Sequence, residues 1–248
     1  MQVTMIYCTG MGSSDPARHA ANVLIFTKNT RLEMRPSLLE EIRSWPWEKV
    51  EKELEYISNT IPSSHEFVDY TFLITGVTRA FTHQLVRTRT ASFAQQTMRV
   101  LNVEGWEYGT GPTIANSEDL KGCYDNAMEV IAQTYDALIQ EGAAIEDARG
   151  VLPTNILTNI VMKCNLRVLA ETLRKRSSPR TQGEYRDVLD AMKAAVFAVH
   201  PWAKMFLERD FDRSAGDLDA AIQALPDNVS KEQKTAMIKL VDQLRNSA

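Results

Sequence analysis

The sequence predicts a fold of the mixed α/β (α+β) class, and three observations carry that prediction. Residues 67–77 alternate with period two: Val68, Tyr70, Phe72 and Ile74 fall on one face, and Asp69, Thr71 and Thr75 on the other. That strand runs directly into residues 78–88, where Val77, Phe81 and Leu85 are spaced four apart and make an apolar helical stripe. A long helix over residues 118–141 follows, with Ala127, Ile131, Tyr135 and Leu138 as its core stripe. The chain has 248 residues, 44% of them hydrophobic. That is enough to bury a substantial core within one large domain, expected over residues 1–212. Residues 213–248 are expected to form a helical extension packed on it.

In chain order, residues 2–7 read as a short strand, followed by a turn rich in Gly, Ser and Asp at residues 10–15. Its two glycines lack the rest of any nucleotide-binding fingerprint. Apolar residues recur at helical spacing from residue 16 to 27, and Pro36, Leu38, Leu39, Ile42 and Trp45 predict a second short helix. A loop punctuated by Gly and Pro spans residues 105–112. Ser117 is then placed to cap the long helix, with Glu118 and Asp119 favourably set against its dipole. A helix containing Ala148 and Arg149 stops before Pro153, and a further helix is expected from about Asn155, turning Ile160, Val161, Cys164 and Val168 toward the core. Asn165, Arg167 and Glu171 are expected to ride on it. An amphipathic helix from Glu184 to His200 uses Tyr185, Val188, Leu189, Met192 and Val196 and ends at Pro201. The tail predicts two more helices, the last capped by Ser230 and carrying Met237, Leu240, Val241 and Leu244.

A net charge of −4 and a pI near 5.7 argue against a nucleic acid polymer as partner, while leaving room for a small phosphorylated ligand. The cysteines Cys8, Cys123 and Cys164 are too scattered for a disulfide framework, and His19, His65, His83 and His200 form no ligand pair, so no metal is expected. His65 and His83 read more readily as structural than as catalytic. Residues 1–7 lack a basic segment leading into an apolar core, and no stretch reaches roughly 18 apolar residues. The expectation is a cytoplasmic protein without a membrane span.

Two basic clusters stand out. Arg87, Arg89 and Arg99 bracket a run of small and amide side chains, with Gln84, Gln95 and Thr97 beside them. Arg174, Lys175, Arg176 and Arg180 form the second. Solvated surface charge is the ordinary reading of each. A phosphate site competes with it, because planar guanidinium forks grip anions while neutral amides and hydroxyls complete the contacts.

The stretch GVTRAFTHQLVRTRTASFAQQTMRV, residues 76–100, resembles the signature region of flavin-dependent thymidylate synthases. In that family a strand and helix lead into Arg-His-Arg, a seven-residue spacer and Ser. Here the corresponding positions are Arg87, Thr88, Arg89 and Thr97. Ala148, Arg149, Val151, Leu152 and Pro153 are similar to the family's Ala-Arg and Leu-Pro element, Asn165 and Arg167 to its Asn-x-Arg, and Arg176 to an arginine that orients the pyrimidine. The resemblance covers roughly residues 16–210. It implies a mixed sheet with flanking helices, a homotetramer and bound FAD. The implied reaction converts dUMP to dTMP with methylenetetrahydrofolate and NADPH as co-substrates.

Residue by residue, the resemblance implies substrate contacts for Gln84, Arg87, Gln95, Thr97, Arg99, Arg149 and Arg176. It implies cofactor contacts for Arg87, Thr88, Arg89, Gln95, Asn165, Arg167 and Glu171. Arg176 is the implied catalytic group, stabilising negative charge that develops on the pyrimidine. No signature block contains a cysteine, which fits a route without a covalent thiol adduct. The sequence departs from the family at Thr88 for histidine, Thr97 for serine, Val100 for tyrosine, Phe67 for the histidine of a Glu-His pair, and Glu171 for asparagine. A relative acting on dCMP, one transferring a hydroxymethyl group, or a non-catalytic nucleotide- or flavin-binding paralogue remains open.

Overall fold

The computed structural model describes residues 1–29, 34–98, 106–176, 181–208, 218–219, 221–226 and 229–247. Arg99, Val100 and Arg180 lie outside the described residues. The strands are β1 (Gln2–Cys8), β2 (Asp69–Thr78), β3 (Ser92–Gln95) and β4 (Leu157–Asn165). The helices are α1 (Pro16–Lys28), α2 (Pro36–Arg43), α3 (Trp47–Thr60), α4 (Arg79–Leu85), α5 (Pro112–Ala115), α6 (Glu118–Gln140), α7 (Ile145–Ala148), α8 (Leu166–Arg176), α9 (Gly183–Val199), α10 (Lys204–Leu207) and α11 (Lys231–Ser247). No helix among the described residues is long and apolar enough to cross a membrane.

The strands form one sheet in the order β1-β2-β4-β3. Thr9 N–H donates to the Asp69 carbonyl at 3.0 Å, while the other end of β2, at Gly76, lies against Met1, so β1 and β2 run antiparallel. The antiparallel register of β2 and β4 follows likewise: Leu166 N–H donates to the Val68 carbonyl at 2.8 Å, and Gly76 N–H to Asn159 Oδ1 at 3.1 Å. The chain packs as two compact units, residues 1–2 with 73–162 and residues 3–72 with 163–248.

In the unit of residues 3–72 and 163–248, α1 starts where Asp15 Oδ1 accepts from Arg18 N–H at 2.8 Å, with Pro16 as its first residue. Ala20, Ala21, Leu24 and Ile25 are buried as α1 packs on α2, α3 and the 3-10 turn Pro62–Phe67. The sequence reading names no element at α3, yet its buried Val50, Leu54 and Ile57 follow the i, i+4, i+7 pattern of an amphipathic helix. Arg18 Nη2 donates to the carbonyls of Ile42, Arg43 and Trp45 at 3.1, 3.2 and 2.6 Å, supplying donors that the end of α2 lacks. That helix stops at Arg43, two residues short of Trp45.

A buried polar chain runs through the same core. His200 Nε2 lies 3.1 Å from the Thr9 carbonyl, which only accepts, so Nε2 carries the proton and Nδ1 accepts from the Tyr70 hydroxyl at 3.0 Å. Trp202 stacks on the imidazole at 5.2 Å and donates its Nε1 proton to the Ala17 carbonyl at 2.9 Å. Burial lowers the His200 pKa to about 4, and the Thr9 carbonyl only partly offsets it.

In the unit of residues 1–2 and 73–162, Gly76 has φ +64°, a conformation that costs any L side chain energy. The alternation of β2 shifts there: Tyr70, Phe72 and Ile74 are buried, then Val77 and Thr78. Helix α6 is capped by Ser117, whose hydroxyl accepts from Leu120 N–H at 3.4 Å. Its buried residues are Met128 and Tyr135, with Ile131 and Leu138 half-buried and Ala127 exposed, so the stripe is centred one residue later than the sequence suggests.

The expected helix at residues 155–165 is instead the strand β4. Thr158, Ile160, Met162 and Cys164 are buried while Asn159 and Lys163 are exposed. Residues 160, 164 and 168 are four apart, a spacing that periods of 2 and 3.6 both satisfy, and Thr158 and Met162 resolve it as extended. Helix α4 ends at Leu85 rather than Thr88, so Arg87 sits in the turn beyond it. Ser230 does cap α11, in a reciprocal box: Gln233 N–H donates to its hydroxyl at 3.2 Å and Ser230 N–H to Gln233 Oε1 at 2.9 Å. Ile238 and Val241 of α11 are buried with Ile222, whereas Met237 and Leu240 are exposed.

The buried imidazole makes stability depend on pH. Its folded pKa of about 4 lies below the ordinary 6.5, so the contribution is complete above pH 6.5. It is lost as pH falls through that value, because the unfolded chain takes up a proton that the folded chain refuses. The loss levels off below about pH 4 at about 3 kcal/mol. Urea unfolding from pH 7.5 to 4 is expected to show His200→Gln losing this part of the pH slope relative to the parent chain.

Candidate active site

The strand-to-helix junction β2–α4 places the signature segment. The Thr78 hydroxyl caps α4 by accepting from Phe81 N–H at 3.1 Å. Arg79 N–H and Ala80 N–H donate to the carbonyls of Ile156 and Thr154 at 3.0 and 2.8 Å, so the helix starts on the chain that leads into β4. After Leu85 the backbone turns twice: Arg87 N–H reaches the Gln84 carbonyl at 3.2 Å and Thr88 N–H the Leu85 carbonyl at 3.0 Å. Arg87 and Arg89 are exposed, and Gln84 and Thr88 half-buried.

Strand β3, which the sequence reading leaves without an element, holds the amide run. Gln96 N–H donates to the Asn159 carbonyl at 3.0 Å, and Asn159 Nδ2 returns a bond to Gln96 Oε1 at 3.1 Å. Arg79 Nη2 donates to the Gln96 carbonyl at 2.8 Å, and Gln95 Nε2 to Thr82 Oγ1 at 2.9 Å. Gln95 is thereby fixed to α4, and Thr97 follows it, exposed.

Arg149 starts the 3-10 turn Arg149–Val151 and donates its Nε proton to the Glu146 carbonyl at 3.1 Å. It borders a cavity of about 340 Å³ whose lining includes Arg79, His83, Glu146, Gly150 and Thr154. Burial and, second, the charge of Arg149 pull the Arg79 guanidinium below its ordinary pKa. Arg79 Nε is buried and has no hydrogen-bond partner among the described residues. Sequence reasoning missed Arg79 and left His83 as structural, although the two are four apart on α4, a spacing that puts them on one face.

The remaining candidates lie in the other unit. Asn165 ends β4 and caps α8, its Oδ1 accepting from Val168 N–H at 2.9 Å, so it does not ride on the helix. Arg167 pairs with Glu66 at 2.6 Å and with Glu171 at 3.1 Å, and Lys175 approaches Glu171 at 3.7 Å. Hydrogen bonds to Glu66, then to Glu171, raise the pKa of Arg167. Arg176 lies over the Tyr185 ring at 4.8 Å. A second cavity, of about 270 Å³, has Asn59, His65, Arg167, Glu171, Arg174 and Phe206 among its lining residues. Burial pushes the Cys164 thiol up to about 12 and raises that of Cys8, so both stay protonated near neutral pH.

The family model described as "Thymidylate synthase complementing protein" matches residues 16–202. The flavin-dependent thymidylate synthase of Clostridium tetani is 35% identical over 171 residues, which are 62% of this chain and 69% of that protein. The chain belongs to the flavin-dependent thymidylate synthase family. The family member from Nitratidesulfovibrio vulgaris is 38% identical over 163 residues, 61% of this chain and 66% of that one, so the chain spans about two thirds of the length of these relatives. A crystal structure of the UMP/dUMP methylase PolB from Streptomyces cacaoi, bound with 5-Br dUMP, has a TM-score of 0.65 at 19% identity. It covers 83% of this chain and 94% of the other. This likeness establishes the fold, which is the family fold that the signature residues implied.

Within this family's Asn-x-Arg element, the asparagine has a structural task. Asn165→Ala is expected to lower the unfolding free energy by about 1 kcal/mol, while Asn165→Asp keeps most of the cap. Urea denaturation of the two variants checks this.

Proposed function

We propose that this chain is a methyltransferase of the pyrimidine deoxynucleotide class, converting dUMP to dTMP with methylenetetrahydrofolate as one-carbon donor, NADPH as reductant and FAD as cofactor. The observation that supports it most is the family match over residues 16–202, which contains the whole signature segment built on α4 and β3. Residues 213–248, beyond that match, read as a helical extension, and the active assembly as a cytoplasmic homotetramer.

Roles for the chain's own residues follow from their chemistry. Arg87, Arg89 and Arg149 supply guanidinium forks to phosphates, and Arg99 joins them by its place in the signature. Gln84, Gln95 and Thr97 supply neutral donors and acceptors for a base edge or phosphate oxygen. Arg176, at the end of α8, stabilises negative charge on the pyrimidine, the charge that makes carbon 5 nucleophilic toward the one-carbon unit.

For the flavin, the cavity bordered by Asn59, Arg167, Glu171 and Arg174 sets two cations and an amide beside one carboxylate, and its N–H groups suit the anionic end of a flavin nucleotide. Asn165, Arg167 and Glu171 complete the cofactor side of this unit in this reading, and Thr88 keeps the cofactor role that its place in the signature implies. The carboxylate of Glu171 is held by Arg167 and Lys175, so it adds no uncompensated negative charge there. When bound, the flavin supplies the hydride that completes the methyl group.

The test is the visible spectrum of the purified protein with added FAD, followed by reoxidation of the reduced flavin with dUMP or dCMP and methylenetetrahydrofolate. Turnover of dUMP is expected. Turnover of dCMP alone, or a hydroxymethylated product, would reassign the substrate or the group transferred, and absence of flavin binding would overturn the reading. Arg176→Ala is expected to abolish turnover with the thermal midpoint little changed; near-normal activity would remove the role given to Arg176.

A further inference from the structure

We propose that Thr82, buried on α4, is a positioning residue that holds the side-chain amide of Gln95 with its oxygen open, so that this point of the site accepts a hydrogen bond from an N–H or O–H group of the bound nucleotide or flavin. Gln95 contacts ligand in the functional reading above, on which this role of Thr82 rests. Thr82 is fully buried, so it acts through Gln95 and touches no ligand itself. Its hydroxyl donates to the Arg79 carbonyl at 3.1 Å, which spends the one proton that a hydroxyl has. Toward Gln95 it only accepts, and Gln95 Nε2 donates to it at 2.9 Å. The polarity of the amide follows. Turned over, Oε1 would meet Oγ1 acceptor to acceptor, or the hydroxyl would have to abandon the Arg79 carbonyl.

The main chain beside Gln95 is already held. Gln96 N–H donates to the Asn159 carbonyl at 3.0 Å, and the Gln96 carbonyl accepts from Arg79 Nη2 at 2.8 Å. What remains to be ordered is the set of side-chain torsions of Gln95, and the bond to Thr82 orders them before a ligand arrives, which lowers the entropy cost of binding. Among the described residues that bond is the one side-chain hydrogen bond of Gln95, so Oε1 is left for a donor. A hydroxyl buried at this position gains nothing from packing, because an apolar side chain of similar shape has no polar atom to satisfy. Its two bonds, to Arg79 and to Gln95, account for it. The N3–H of uracil, a sugar hydroxyl and a flavin N–H share the donor chemistry that Oε1 takes.

Calorimetric titration of the full chain with dUMP and with FAD tests the proposal, for the parent, Thr82→Val, Thr82→Ser, Gln95→Met and the double variant of Thr82→Val with Gln95→Met. Thr82→Val is expected to weaken dUMP, FAD or both by roughly three- to tenfold, and Thr82→Ser, which keeps the hydroxyl, to retain most of the affinity. Once Gln95 is replaced, Thr82→Val is expected to cost nothing further, because its effect passes through that amide. A loss confined to dUMP places the donor on the nucleotide, and a loss confined to FAD places it on the flavin. Unchanged affinity for both ligands in Thr82→Val would overturn the proposal. So would an equal loss in the Gln95→Met background, which a merely structural role for Thr82 produces. If Thr82→Val does not fold, Thr82→Ala takes its place in the same cycle. Binding of neither ligand by the parent chain would sink the methylation reading and this role together, whereas parent binding with Thr82→Val unaffected sinks this role alone.

Discussion

The junction between β2 and α4 is the constraint on which the signature region depends. A strand enters Gly76 in a left-handed conformation, and three residues later Arg79 bonds at both its main chain and its side chain. Its N–H holds the start of the helix to the Ile156 carbonyl, and its guanidinium holds β3 through Gln96. Gln95 and its neighbours take their places because Arg79 and Thr82 of α4 and Asn159 of β4 together hold this segment. The positive φ at Gly76 lies within β2, two residues before the strand ends at Thr78, and a side chain at that position would be penalised by roughly 1–2 kcal/mol.

Electrostatics in the two units differ in kind. Around Arg167 the charges are matched, two carboxylates against one guanidinium with Lys175 at the margin, all substantially exposed. Pairs of that kind stabilise a fold by less than about 1 kcal/mol and chiefly fix orientation. Around Arg79 the balance is reversed, with two cations facing one acid in a partly buried cavity. Unmatched positive charge in such a place adds nothing to folding, and it suits a site for an anionic ligand.

The departures from the family pattern are also easier to weigh with the fold in hand. Thr97 keeps a hydroxyl two residues beyond the end of β3, where serine stands in the family. Thr88 occupies a turn that its own N–H closes on Leu85, a conformation that does not require an imidazole. Phe67 is 58% exposed at the end of a 3-10 turn whose preceding residue, Glu66, holds Arg167. The acid of that element therefore retains a partner even though its histidine neighbour is replaced.

Several features were legible in the sequence alone. The alternation in β2 set its buried face, Ser117 and Ser230 marked helix starts, and the order of the arginine motifs carried the family. Those signals are local, since each depends on spacing within a few residues and on the chemistry of a cap or a strand face. The nature of β4 was not legible, because its apolar residues at four-residue intervals suit a helix and a strand equally. Pairing with β2 chose the strand, through hydrogen bonds that join residues some 80 to 100 positions apart. Arg79 was likewise unremarkable in the sequence, one basic residue at a helix start. Only the tertiary fold brings Gln96 and Arg149 to it, and a cavity bordered by two like charges exists nowhere in the linear order of the chain.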